Sequence, residues 1–416
     1  MKKPPLKNII LLSALCIALL CAFAIILHNT TKQKTASTPV LKVISPSPTK
    51  PPKTNIPAPT PQNSKKAIKL AAVGDIIVHD KQLENGYDSK TGIYNFSGYF
   101  KNIKKYIEET DFSLANLETT LAGKEREYTG WPAFNSPEVI AEVLKTTGFD
   151  ILSTANNHCL DRNYSGLAAT IDNLNKIGLL HMGTYKDSTA ASNILFTDKN
   201  GIRTAFLSYT YGTNGYTLPK DKSYAVNYID KTKMLSDIKS AKALKCDIII
   251  FYLHFGTEYK ASPDKDQKEL VDFLFESGVD MVIGSHPHVL QPIEQKKVIM
   301  DGTEKNCYAA YSLGNFISKR REPDRASSAI LQIEIEKDFT LNKTIIKKVS
   351  YIPTFVDMSL LNDGKYDFRV IAMENAIYDY EHKLDPMLNQ EDYETIKTCY
   401  KRTLDLLGTE YLHKVR

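Results

Sequence analysis

Short apolar runs alternate along this chain with segments whose apolar residues recur every three or four positions, and the alternation begins near residue 67. The run AIKLAAVG at 67–74 predicts a strand. Residues 98–110, GYFKNIKKYIEET, carry helical spacing and lead into DFSLANLE. The segment 136–148, SPEVIAEVLKTTG, opens on a Ser cap and closes on a Gly stop before FDILSTA. NYSGLAATIDNLNKIG predicts a further helix with a Gly stop. CDIIIFYLH (246–254) and VDMVIGSH (279–286) read as strands flanking a helix that begins near Pro263. This alternation predicts an α/β fold with buried strands. From about 290 to 352 the pattern is strand alone, in YAAYSLGNFI, ASSAILQIEIE and NKTIIKKVSYI. That stretch predicts a second sheet, packed face to face on the first with helices outside. EDYETIKTCYKRTLDLLGTEYL, near the end, predicts one helix.

A different pattern precedes residue 67. Ile9–Leu27 reads IILLSALCIALLCAFAIIL without a charge, and at about 1.5 Å per residue it nearly spans a hydrocarbon core of about 30 Å. Lys2, Lys3 and Lys7 before it favour an N-in orientation. The run exceeds the roughly 7–15 apolar residues of a cleaved signal, and no Ala-x-Ala site follows. Leu15 and Leu20 stand before Cys16 and Cys21, where a lipoprotein needs a small residue. Residues 28–66 are rich in Pro, Thr, Ser and Lys, a composition that favours extended, solvated chain. The expected organisation is a cytoplasmic 1–8, an uncleaved transmembrane signal anchor at 9–27 and an extracellular stalk at 28–66. A globular domain at 67–360 and a helical extension at 361–416 follow. The protein is thus expected in the cell membrane, single-pass, with its domain outside.

Charge sharpens this division. The chain of 416 residues carries a net +5, yet no acidic residue precedes Asp75 while eleven lysines do. Removing those eleven leaves −6 for the remainder, so the folded part is mildly acidic. A nucleic-acid-binding domain carries positive charge on its folded surface, and that class is excluded. Six cysteines include no C-x-x-C pair, which removes zinc-knuckle and thioredoxin-like readings.

Candidate chemistry collects where the strands end, the edge at which ligands gather in open α/β sheets. Those ends carry Gly74-Asp75, Asn116-Leu117-Glu118, Asn156-Asn157-His158, His254-Phe255-Gly256-Thr257-Glu258, Ser285-His286-Pro287-His288 and Gly314-Asn315. Imidazole, carboxylate and amide oxygen together suit Zn, Mn or Fe. In His286-Pro287-His288 two histidines around a rigid residue are expected to point the same way off an extended backbone. His158 is placed to protonate a leaving group.

The ordered motifs Gly74-Asp75, DFSLANLE, STANNHCLD, LHFGTEY, VIGSHPHVLQPIE and YSLGNFI resemble those of the CapA family of capsule-synthesis proteins, from about residue 68 to 318. The family is in turn similar to calcineurin-like metallophosphatases. The resemblance implies a four-layer α/β/β/α sandwich with one or two divalent transition metal ions. It implies Asp75, Glu118, Asn157, His254, His286 and His288 as metal ligands and His158 as general acid. Asn116, Glu258, Asn315 and Arg320 are the expected substrate contacts. Two departures stand out: Ile77 occupies the place of the phosphatase Asp-x-His histidine, and Glu118 is the nearest counterpart of the bridging Asp. The resemblance also implies capsule polymer synthase subunits as partners and an anionic polymer, poly-γ-glutamate or a relative, as substrate. Two other functions fit the residues: an extracellular metallophosphoesterase, and a non-catalytic polymer-binding or export module.

Overall fold

The computed structural model describes residues 64–415 except 301, 320, 321, 362 and 363. The expected anchor at 9–27, nearly all of the stalk and Arg320 lie outside the described residues. No helix among the described residues is long and apolar enough to cross a membrane.

The first strand, β1 (Lys65–Ile76), is followed by a small hairpin of β2 (Tyr87–Asp88) and β3 (Ile93–Tyr94), then by β4 (Phe112–Leu117), β5 (Ile151–Ser153) and β6 (Leu180–Met182). Next come β7 (Leu195–Lys199), β8 (Ile202–Thr210), β9 (Ile248–His254) and β10 (Met281–Ser285). The rest are β11 (Leu290–Met300), β12 (Thr303–Leu313), β13 (Asn315–Ile317), β14 (Ser327–Asp338), β15 (Lys343–Leu360) and β16 (Tyr366–Ala372). One sheet has the order β16-β15-β14-β1-β4-β5-β6, with β13 continuing beside β1, and the other has the order β11-β12-β10-β9-β8-β7. In each sheet the central strands are parallel and antiparallel strands are added at the sides.

Alternation along each central strand explains the layering. Ile68, Leu70 and Ala72 of β1 face Ile248, Ile250 and Tyr252 of β9 in one apolar layer between the sheets. Ala71 and Val73, the opposite face of β1, pack against Ile140 and Leu144 of the helix Val139–Thr147. Ile249, Phe251 and Leu253 turn outward to Val271 and Leu274 of the helix Lys265–Ser277. Residue period two thus buries both faces of both sheets, giving four layers, helix–sheet–sheet–helix. Burial of each such side chain stabilises the fold by about 1.5–3 kcal/mol before the cost of ordering the chain.

Several sequence expectations change. The stretch from 290 to 352 does not form a sheet of its own: β11 and β12 join β9 and β10, whereas β14 lies beside β1 with β15 on its far side. Strand propensity marks these segments without choosing partners, and the partners here are the free sides of two parallel sheets. Residues 361–416 are not helical throughout, because β16 pairs antiparallel with β15 before the helices Met373–Glu381 and Gln390–Leu407. Of the 98–110 helix only Lys104–Glu108 is helical, since Tyr99 and Phe100 turn into the core ahead of it. Ser136 does not cap its helix; its hydroxyl lies 2.8 Å from that of Thr119.

The chain crosses between the sheets at Gly314, whose φ of 68° suits glycine. A Cβ on Gly74 would stand 1.8 Å from the Gly314 carbonyl oxygen, so β1 and this crossover touch backbone to backbone. Asp75 N–H donates to that same oxygen at 2.9 Å. Gly74→Ala should therefore lower stability by roughly 1–3 kcal/mol, the usual cost of overpacking, and urea denaturation measures it. An unchanged midpoint would mean that strand and crossover part freely.

Candidate metal centre

The parallel strands of both sheets end at one edge, and their ends deliver polar side chains into a common site. From the first sheet come Asp75 at the end of β1, Glu118 just beyond β4, and Asn157 and His158 in the turn after β5. From the second come His254 ending β9, and His286 and His288 following β10. Asp75, Glu118 and His254 have no exposed surface, and His286 is nearly as enclosed.

Three sets of donors converge, each with ligand atoms within 4.8 Å of one another: Glu118, His254 and His286; Asp75, Glu118 and His288; and Glu258, His286 and His288. Glu118 Oε1 belongs to the centre of this arrangement. It lies 3.6 Å from His254 Nε2 and 3.7 Å from His288 Nε2, too far for hydrogen bonds, and it has no hydrogen-bond partner. Donors held about 2.0–2.2 Å from one ion sit roughly 3–4 Å apart, so these separations suit a cation. Asn157 Oδ1 is 2.9 Å from His254 Nε2 and adds an oxygen to the first set. His286 Nδ1 is likewise buried without a partner. The residues present therefore fit a divalent metal, with Glu118 common to two of the sets.

Supporting contacts fix these donors. Asn116 Nδ2 donates to Asp75 Oδ1 at 2.8 Å and lies 3.3 Å from Glu118 Oε2, while Asn156 Nδ2 donates to Asn116 Oδ1 at 3.1 Å. His254 Nδ1 is 2.9 Å from Ser285 Oγ, an outer contact of the kind that sets ring orientation in metal sites. His288 Nδ1 stands 3.0 Å from Asn315 Oδ1 and 3.1 Å from Asp75 Oδ2. Asn116 is thus a buried support behind the donors, its amide engaged by Asp75, Glu118 and Asn156, while Asn315, which contacts His288, also lines the cleft. Glu258 is exposed at the mouth. The His286-Pro287-His288 backbone is not extended: both histidines have positive φ, 96° and 58°.

His158 stands apart from the ligand sets and lines the same cleft as Glu118, Glu258 and His288. Its Nδ1 is 2.7 Å from Asp161 Oδ2, which also accepts from Phe134 N–H at 2.6 Å, and its ring meets Phe134 edge-on. That pairing leaves the other ring nitrogen for the cleft. Asp161, three residues after His158 at the end of STANNHCLD, is a further site residue, and its spacing from His158 is the signal for it. Two other residues had none: the half-exposed Tyr211 whose ring lies 4.5 Å from His286, and exposed Trp131 on the cleft wall. His79 also lines that wall, reached by a helix start and not by proximity to Asp75 in sequence. Arg325 holds its guanidinium 3.8 Å above the Tyr259 ring.

Electrostatics follow from burial. Loss of water and the neighbouring Asp75 push the Glu118 carboxyl well above its usual range. Burial, with His286 and His288 close by, holds His254 well below the usual imidazole value. His286 is lowered to about 4, mainly by burial and by His288. Neutral imidazoles are the form that binds metal.

Two stacked sheets with imidazole, carboxylate and amide donors converging at their strand ends define a four-layer α/β protein with a candidate metal centre. The bacterial capsule synthesis protein family PGA_cap matches residues 69–320, and the chain belongs to it. It is 26% identical to the capsule biosynthesis protein CapA of Bacillus anthracis over 68% of this chain and 67% of that one. It is 32% identical to the PGA biosynthesis protein CapA of Bacillus subtilis, covering 67% and 70% respectively. Among solved structures, the NAD nucleotidase of Haemophilus influenzae aligns with 84% of this chain and 64% of its own at 11% identity, with a TM-score of 0.45.

The raised Glu118 carboxyl gives a signed prediction. A glutamate whose folded value is raised binds a proton in the native state that the unfolded chain has released, so its contribution falls as pH climbs above the ordinary 4.5. In metal-free protein Glu118→Gln should be more stable than the wild type by a margin that widens above that pH. Added Mn²⁺ or Zn²⁺ should reverse the order. Thermal melts across pH 4–8, with and without metal, measure both; a constant margin would contradict the assignment.

Proposed function

We propose that this protein is a membrane-anchored surface component of capsule assembly or export, acting on poly-γ-glutamate or a related anionic polymer through a metal-dependent hydrolase or transferase site. The reading is supported at the level of pathway by membership in the capsule synthesis family and by its similarity to the two Bacillus proteins. The uncharged run at 9–27 and the Pro-rich segment behind it support an anchor and stalk. A polymer synthase in the same membrane is the partner this arrangement suits.

The single observation that carries a metal-dependent site is the buried, unpartnered Glu118 Oε1 between two imidazole nitrogens of the other sheet. Asp75, Glu118, Asn157, His254, His286 and His288 would hold the ion or ions. A divalent cation there would supply Lewis acidity toward a substrate carbonyl or phosphoryl oxygen. Asp161 holds the His158 ring so that its free nitrogen can keep or deliver a proton at the cleft. A pure binding module has no use for that oriented histidine, which favours catalysis. The same pair would serve phosphate-ester hydrolysis equally, so the alternative function is a metallophosphoesterase.

In a host strain lacking the native copy, His254→Ala, His286→Ala and His288→Ala should each abolish surface polymer, read by immunoblot of the cell surface. Normal polymer with all three replaced would remove the metal-site mechanism. With purified protein, Asp161→Asn should leave metal content unchanged and lower turnover by about 10²–10⁴-fold, the range for positioned acid–base catalysis. Turnover of aryl phosphate esters with no action on polymer would favour the phosphoesterase.

A further inference from the structure

The solvent side of the centre holds a carboxylate that neither the buried ligand set nor the His158 pair uses. Glu258 follows β9 by four residues, and one of its carboxylate oxygens lies within 4.8 Å of ligand nitrogens on both His286 and His288. We propose that Glu258 is a metal ligand, closing the centre from the solvent side together with His286 and His288; the proposal rests on the metal-site reading above.

Three observations carry it. First, the loop bearing Glu258 is clamped, unlike most exposed segments. Gly256, at φ 95°, has the Gln267 side chain packed 2.5 Å from where a Cβ would stand. Thr257 Oγ1 donates to Asp264 Oδ2 at 3.1 Å, and Gln291 Nε2 donates to the Lys260 carbonyl at 2.8 Å. Immediately after Glu258, the Tyr259 N–H donates to the carbonyl of Pro287 at 2.8 Å. The glutamate is therefore fastened to the very residue that separates the two histidines.

Second, that segment is conformationally strained on both sides of the fastening. Tyr259, His286 and His288 all have positive φ, at 63°, 96° and 58°. A non-glycine residue with such a φ is strained and persists where surroundings over-determine it, most often at ligand clamps. Here the three together turn one carboxylate and two imidazoles toward a common point.

Third, the donor chemistry is complete there. His286 Nδ1 is buried and unpartnered, and two nitrogens with one carboxylate oxygen form a common transition-metal set. Ile77, across the same cleft, offers only an apolar wall. Among the described residues, no lysine or arginine forms an ion pair with Glu258. An anionic polymer would be repelled by this carboxylate if it were free, and a cation bound to it removes the repulsion.

The test uses full-length protein stripped of metal and titrated with Co²⁺, whose visible absorption reports its ligands, with stoichiometry from chelator competition. Wild type, Glu258→Gln, Glu258→Ala and the His286→Ala/His288→Ala double variant are compared, with melting curves to verify folding. Because Glu258 is exposed, its variants should melt as the wild type does in metal-free buffer. The expected result is at least tenfold weaker Co²⁺ binding, or loss of one equivalent, in both Glu258 variants, together with a shifted absorption band. Unchanged affinity and band would overturn the role of Glu258 while leaving the buried centre intact. Weaker binding with an unmoved band would also overturn it, since that is the effect of charge alone. Absence of Co²⁺ binding by the wild type would overturn both readings at once.

Discussion

Two carboxylates buried side by side, with no lysine or arginine among the described residues paired to them, set the terms for the rest of this site. Asp75 and Asn116 are register partners on neighbouring parallel strands, and Glu118 follows two residues later. Among the described residues, histidines alone form ion pairs with either acid. An ion buried without compensation costs several kcal/mol even after relaxation. Protein alone answers by protonating Glu118 and keeping His254 neutral, the directions in which both groups are shifted. A divalent cation offers the other answer, because it lets the acids stay ionised while the imidazoles stay neutral. The same burial that makes the metal-free centre costly therefore makes it receptive to metal.

That constraint explains why the centre straddles two sheets. Asp75, Glu118 and Asn157 come from one, the three imidazoles from the other, so a bound ion would draw the two halves together. The fold already joins them close by. The Tyr252 hydroxyl of β9 donates to the Val73 carbonyl of β1, and Ser153 and Ser208 hydroxyls meet at 2.7 Å across the layer. The crossover at Gly314 then carries Asn315 from one sheet to the other directly behind His288. Donor spacing is set by how the sheets stack, which makes it as rigid as the core.

Much of this was legible in residue order. Strand ends followed by Asp, Glu, Asn and His picked out residues that the fold brings together, because side chains beyond parallel strands have few places to go except the shared edge. The division of strands between sheets was not legible: ASSAILQIEIE and YAAYSLGNFI have equal strand character, and only the free sides of β1 and β10 decide between them. How Asn116 and Asn315 are engaged was not legible for a related reason. A polar residue at a strand end reads the same whether it faces substrate or supports a ligand from behind. The positive φ of His286 and His288 also escaped notice, since nothing in S-H-P-H distinguishes a strained turn from an extended run. Trp131 reaches the cleft through a loop, where spacing carries no information about approach.

Charge at the mouth bears on how such a site can meet a polyanion. From Asp75 onward the chain is net −6, and the acids of the centre are Asp75, Glu118 and Glu258. Left without metal, the cleft opposes a negatively charged strand, and the attractive surfaces around it are aromatic: exposed Trp131, Tyr211 and Tyr259. Arg325 is a cation nearby among the described residues, and its guanidinium is already stacked on Tyr259. A metal ion would thus set the sign of the local field as well as the chemistry. At physiological salt charges more than about 8 Å apart are largely screened, so a bound ion would attract only the segment of an anionic chain already at the cleft. Selectivity for an anionic chain then depends on the few groups touching the centre, which is where the clamped loop places Glu258.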